Sequence, residues 1–271
     1  MARDLPDPVT LVAISSLAYI LAVALHEHLG HSAACGLLGS RPLEMGAFYV
    51  DCDDARLSTG AIRAVAAAGP LVSLLTGMVC VLALPRLPVR APRAFYFVWL
   101  LGTLGLMSAS GYLLFSGVSG LGDLGTGAEG ALMGAHPQWL WRIALTLLGV
   151  LAYKAVVMAS LRRIAPRLPG TRTERIRTGR RVLLISYLTG ALIYLLIGLA
   201  NPRGLAILLL SVLPASLGAS SGLLWMMQRI DSRTPVAEGP GLQFGRSVGW
   251  IAAAAVLTGA YAIVFGPTLR A

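Results

Sequence analysis

Six consecutive residues, His26-Glu27-His28-Leu29-Gly30-His31, hold three of the chain's four histidines and one carboxylate. Imidazole and carboxylate are ordinary zinc ligands, and a catalytic zinc takes three protein groups while leaving a fourth position open. In the helical pattern His-Glu-x-x-His, the histidines share a face and the glutamate beside the first acts as general base on metal-activated water. Here the spacing is one residue longer, His26-Glu27-x-x-x-His31. On an ideal helix at about 100° per residue, positions 26 and 31 fall about 140° apart and cannot grip one ion.

Two geometries would restore a shared face. A π-bulge, rare in general but frequent at functional sites, brings residues five apart nearly into line, and Gly30 makes the distortion cheaper. Alternatively, His28 and His31 form the pair, about 60° apart on a regular helix. The first arrangement keeps the base next to a ligand. His26 and His31 are then the metal-ligating residues and Glu27 the catalytic base, leaving His28 to steady a ligand or the reacting oxyanion.

The elements that must position these groups are apolar. The 271 residues are 56% hydrophobic and only 13% charged, against about 25% charged in soluble domains, and the mean hydropathy is +0.74. This composition excludes a soluble globular enzyme and predicts an all-α, polytopic membrane helix bundle. Runs long enough to cross a bilayer lie near 9–39, 61–84, 94–116, 138–160, 182–200, 203–227 and 247–266, about seven transmembrane helices. The first run is over-long and is expected to tilt, protrude or bend at the polar motif. Ionisable groups at such depth are usually functional and face a protected interior. No basic segment with a small-residue cleavage site opens the chain, so no signal-peptide removal is expected.

The net charge of +10 comes from arginines clustered in short loops. That is an orientation signal facing anionic headgroups and argues against nucleic-acid binding. Loops 85–93, 161–181 (with eight arginines) and 228–246, which includes Arg229, Arg233 and Arg246, alternate with acidic loops carrying Glu44, Asp51, Asp53 and Asp54, and then Asp123 and Glu129. The positive-inside rule places the N-terminus in the cytoplasm. The arginine-rich composition, with Lys154 as the single lysine, points to a bacterial inner membrane. Cys35, Cys52 and Cys80 are odd in number and lack Cys-x-x-Cys spacing, so they read as small buried hydrophobes rather than a disulfide or thiolate site.

A third metal ligand is expected from Asp123, in the glycine-rich segment Phe115 to Gly125 just beyond the third run. The topology brings this segment to the same side as the end of the first run. Glu129 and His136 are weaker candidates in the same loop.

These motifs resemble the site-2 protease family of intramembrane zinc metalloproteases. Leu25 to Ala34 is similar to that family's zinc helix, Ala66-Ala67-Ala68-Gly69-Pro70-Leu71-Val72-Ser73 to its next core helix, and Gly122-Asp123 to its distal aspartate motif. Ser73 stands where the family often has asparagine, and residues 40–60 look like its short re-entrant or edge strand that could pair with an extended substrate, a reading equal to that of a solvated acidic loop. The resemblance covers about residues 10–130 and implies a metalloprotease-like membrane core over 1–130, followed by a C-terminal four-helix region over 131–271. It further implies bound Zn2+ and a transmembrane or membrane-proximal protein substrate. Two other functions stay open: a non-proteolytic membrane protein using the site for binding or regulation, and a metal-ion transporter.

Overall fold

The structure, a computed structural model, describes residues 5–88, 90–230 and 241–270. It is an all-α bundle in which six helices are long and apolar enough to cross a membrane: α1 (Pro8–Leu37), α2 (Thr59–Arg86), α3 (Pro92–Ser119), α4 (Gln138–Arg167), α5 (Arg172–Leu199) and α7 (Val248–Phe265). Local signals set their starts. Pro8 occupies the first turn of α1, and the Asp7 side chain caps it by accepting from the Thr10 amide at 2.9 Å. Ser58 caps α2 through the Ala61 amide at 3.2 Å. Thr171 and Glu174 form a capping box at α5. Helix α3 stops at Gly120, whose φ of 78° suits the left-handed cap that glycine adopts without strain.

The seventh expected helix is not a regular one. Residues 205–229 run as Leu205–Ile207 (α), Leu208–Val212 (π), Pro214–Gly218 (π), Ala219–Ser221 (3-10) and α6, Gly222–Arg229. Pro214 has no N–H to give its preceding turn, and the Gly218 to Gly222 stretch is rich in residues of low helix propensity. The segment still runs the length of the bundle. At one end Arg203 bonds Glu44 and Asp51 at 2.7 and 2.9 Å; at the other the Met227 carbonyl accepts from Arg180 at 3.4 Å. Arg233, one of the arginines expected in the following loop, lies outside the described residues.

Helix α3 is the hub. It packs against α2 and α4, and α1 packs against α3, α5 and α7. Tyr19, Tyr96, Trp99, Leu100 and Met107 are among the side chains that fill this core. Several polar groups at depth find partners inside the bundle, as an apolar bilayer favours. Ser15 and Ser186 hydroxyls meet at 2.7 Å, Tyr96 joins Ser186 at 2.6 Å, and Trp99 donates to the Ser160 carbonyl at 3.0 Å.

Residues 40–60 form strands rather than a solvated loop. Strands β1 (Pro42–Met45) and β2 (Val50–Cys52) pair antiparallel, and β3 (Leu269–Arg270) adds to the other edge of β1, in the order β2-β1-β3. The cysteine expectation is corrected here. Cys35 and Cys52 form a disulfide, with Cα atoms 6.2 Å apart, and Cys80 alone is a buried free thiol. Their spacing carried no signal, because the pairing arises only when the hairpin folds back onto the end of α1.

Candidate metal centre

The extra residue in the histidine motif is absorbed by the backbone. Helix α1 is α-helical to Ala24, π-helical over Leu25–Ser32 and α-helical again from Ala33. A π turn brings residues five apart nearly into register, so His26 and His31 project to the same side. Their rings lie 5.0 Å apart, edge to face, and their Nε2 atoms are 3.3 Å apart. His26, Glu27 and His31 are all buried.

Glycine serves a different purpose here from the one its flexibility suggests. Helix α2 crosses the π segment at Gly30 and Gly69. A Cβ on Gly30 would lie 2.7 Å from the Gly69 Cα, and a Cβ on Gly69 would strike the His31 and His26 Nε2 atoms. The pair lets α2 come close enough to hold both imidazoles from behind.

That hold fixes the ring chemistry. The His31 Nδ1 lies 2.8 Å from the Val65 carbonyl oxygen, which can only accept, so Nδ1 carries a hydrogen, and in the neutral ring Nε2 is then the lone-pair nitrogen. The His26 Nδ1 lies 2.9 Å from Ser73 Oγ, and in the same tautomer it donates to that hydroxyl and leaves its Nε2 free. Such outer partners are what orient metal-binding imidazoles.

Asp123 completes the group. Its carboxylate arrives on the loop after α3, turned by positive-φ glycines at 120 and 122. Its Oδ2 stands 3.1 Å from His26 Nε2 and 3.3 Å from His31 Nε2.

Three acceptor atoms thus converge with separations of 3.1 to 3.3 Å. A single proton could satisfy one of these contacts; a cation at the centre satisfies all three. A tetrahedral ion with bonds of about 2.0–2.1 Å holds its ligands about 3.3–3.4 Å apart, so the residues present fit such an ion. Glu27 stands slightly further out. Its carboxylate and the two imidazoles place ligand atoms within 4.8 Å of one another, a set that could also hold a metal ion. The tighter separations single out His26, His31 and Asp123 as the inner three.

The centre opens onto an apolar cavity of about 450 Å³, with His26, Glu27 and Asp123 in its wall. Phe48 from the hairpin, Tyr153 from α4 and Pro214 from the broken crossing line it further away.

The structure does not bring His28 to this group. Its ring packs 4.1 Å from Phe265, and its Nε2 lies 3.4 Å from the Tyr261 hydroxyl, both on α7. The π turn that joins His26 to His31 sends His28 to the other side. Glu129 and His136 are exposed. Ser73, the Val65 carbonyl and Gly69 had no separate signal as parts of a metal centre, because in sequence they are ordinary members of an apolar helix. In comparisons with known proteins, no family model, no curated protein and no solved structure matched the chain.

Proposed function

We propose that the chain is a membrane-embedded zinc metalloprotease of the site-2 protease type. The observation that carries this reading is the convergence of His26, His31 and Asp123 with Glu27 alongside, at the wall of an apolar cavity. Two imidazoles and one carboxylate form a donor set that suits zinc. When bound, zinc would supply Lewis acidity and make its water readily deprotonated near neutral pH.

The chain's own groups do the rest. His26 and His31, each anchored through Nδ1, would hold the ion through Nε2. Glu27 takes the attacking water's proton on its carboxylate and returns it to the leaving amine nitrogen. The apolar cavity receives the substrate chain and keeps bulk water away from the scissile bond. The substrate is a transmembrane or membrane-proximal segment that is locally unwound, since a helical backbone is closed to attack by its own hydrogen bonds.

The arginine-rich loops motivate a cytoplasmic N-terminus in a bacterial inner membrane. The Cys35–Cys52 bridge supports this orientation, because it lies at the opposite end of the bundle, which would then face an oxidising compartment.

A second reading is favoured by the position of Glu27. If Glu27 ligates as a fourth group, the shell closes as in structural zinc sites, and the chain is a metal-dependent binding or regulatory protein. One experiment separates the two: bound zinc and cleavage of transmembrane peptides, measured for the native chain, Glu27→Ala and His31→Ala. Proteolysis requires Glu27→Ala to keep zinc and lose cleavage, while His31→Ala loses both. Loss of zinc in Glu27→Ala would instead establish the closed shell.

A further inference from the structure

The cavity beside the centre is longer than the centre alone needs. Along α3 its wall is one stripe, Leu104, Ser108, Gly111, Phe115 and Val118, with the alternating spacing of four and three residues that marks one helix face. At about 1.5 Å per residue that stripe runs about 21 Å. On α1 the wall includes Tyr19, Ala22 and Val23, in the two turns before His26. The space therefore continues past the centre toward the N-terminal end of that helix. Val118, Leu210 and Trp225 line it and are each more than half exposed, which makes it continuous with the apolar outer surface of the bundle.

A volume of about 450 Å³ spread over such a length admits one extended chain. A helix with its side chains is about 10–12 Å across and does not fit. Two kinds of extended chain differ in what they ask of the wall. A peptide brings an N–H and a C=O at each residue, and each is costly to bury without a partner. Several hydroxyls of the wall are already committed within the protein: Ser73 to His26, Tyr194 to the Tyr19 carbonyl at 2.8 Å, and Tyr153 to the Ala219 carbonyl and the Gly222 amide. A peptide can meet the centre over a residue or two, but along the remaining length an alkyl chain matches the wall without any such partner. One leaflet of the hydrocarbon core is about 15 Å deep, so the acyl chain of an ordinary lipid has a suitable length.

Resting on the metal-centre reading, we infer that this cavity is also a binding site for a single-chain lipid with a carboxylate head. The acyl tail lies along the α3 stripe, and the carboxylate takes the coordination position that His26, His31 and Asp123 leave open. The lipid enters from the bilayer, where acyl chains are the solvent, on the side marked by Val118 and Leu210. Its occupancy regulates the site, because one narrow space cannot hold a lipid tail and a peptide substrate together.

The test uses the full chain in detergent micelles, loaded with Co2+, whose visible bands report a new ligand. Three hydroxamates matched in their partition into the micelle carry the same metal-binding head on different tails: a linear dodecyl chain, a rigid polycyclic hydrocarbon and an apolar tripeptide. Acetohydroxamate supplies the head alone. The linear probe should bind the native chain about 10- to 100-fold more tightly than the polycyclic one, the range set by misfit in a packed apolar space. Ala22→Phe and Ser108→Phe narrow the cavity and should weaken the linear probe by a similar factor, while acetohydroxamate still shifts the bands. Equal affinity of the linear and polycyclic probes for the native chain would overturn the lipid site, as would undiminished binding of the linear probe in both narrowed variants. Tightest binding by the tripeptide probe would also overturn it and give the whole length to a peptide. In each of these outcomes the acetohydroxamate response leaves the centre standing. A native chain that takes up neither cobalt nor zinc would remove the centre, and the lipid site with it.

Discussion

Two stretches of this molecule leave the α-helical register for a π one, and they do so under opposite circumstances. The first, Leu25–Ser32, interrupts α1 near its C-terminal end, crossed closely by α2 and pinned through His26, His31 and their partners. The second, Leu208–Val212 and then Pro214–Gly218, holds no ionisable side chain and faces outward at Leu209 and Leu210. Among the described residues, Tyr153 holds its far end, by donating to the Ala219 carbonyl at 2.6 Å and accepting from the Gly222 amide at 2.7 Å. The same backbone irregularity therefore serves convergence of side chains in one place and interruption of a crossing in the other. What distinguishes them is what the neighbouring helices hold: imidazole nitrogens in the first stretch, and backbone carbonyls and an amide in and just beyond the second. Both stretches border the same cavity, so the rigid one presents chemistry to it and the loosely tied one forms part of its wall.

The sharpest way to break this contrast is to remove a ligand from the rigid stretch. His26→Ala or His31→Ala should abolish measurable zinc binding in an equilibrium-dialysis assay, whereas His28→Ala should keep it, since His28 packs on α7. Retention in His26→Ala with loss in His28→Ala would reverse the assignment. Gly69→Ala comes next, because its methyl would occupy the space in front of both Nε2 atoms. It should displace the ion, while Gly36→Ala, with nothing within 4 Å of the added carbon, should bind zinc as the native chain does. Ser73→Ala removes only the His26 Nδ1 partner, so isothermal titration should show about 10- to 100-fold weaker binding.

For the second stretch, Tyr153→Phe strands a backbone carbonyl and an amide. It should destabilise the fold by about 1–3 kcal/mol in denaturant titration while zinc affinity stays native. The smallest effect concerns the outer sheet. Hydrogen bonds from Arg203 and Tyr49 outweigh the effect of burial and hold the Glu44 carboxyl below its ordinary value of 4.5. A group depressed in the folded state stabilises it above the unfolded value, and that contribution is lost as pH falls through the folded value. Hydrogen exchange in β1 and β2 should therefore be slow at neutral pH, once corrected for the intrinsic rate, and quicken below about pH 4.5, with no such step in Glu44→Gln.

Much of the bundle was legible because a bilayer enforces long apolar runs, and six of the expected crossings are long helices. The interruption at 205–229 was less so. Hydropathy averages over the segment and does not register where hydrogen bonds change partner. At the centre, the spacing of His26 and His31 posed the geometric question directly, since only a widened turn or a different pair could answer it. The convergence on Asp123 depended on how a loop far along the chain closes. The roles of Gly69 and Ser73 arise from contact between helices, and side-chain type alone carries none of that. The Cys35–Cys52 pairing was hidden for the same reason.

The short strand β3 gives the C-terminal region a structural duty. Leu269 and Arg270 pair with Met45 and Glu44, Thr268 meets the Tyr49 hydroxyl at 3.0 Å, and Asn201 reaches the Gly266 carbonyl and Thr268. The hairpin stitched in this way carries Phe48 into the cavity wall and is joined by Cys52 to the helix that bears the histidines. An insertion at Arg270 would thus act on the strand that flanks the hairpin, and trimming back to Gly266 would remove β3, the hairpin's strand neighbour. Handles for purification and immobilisation belong instead in the arginine-bearing loops at the far end of the bundle, where they leave that seam closed.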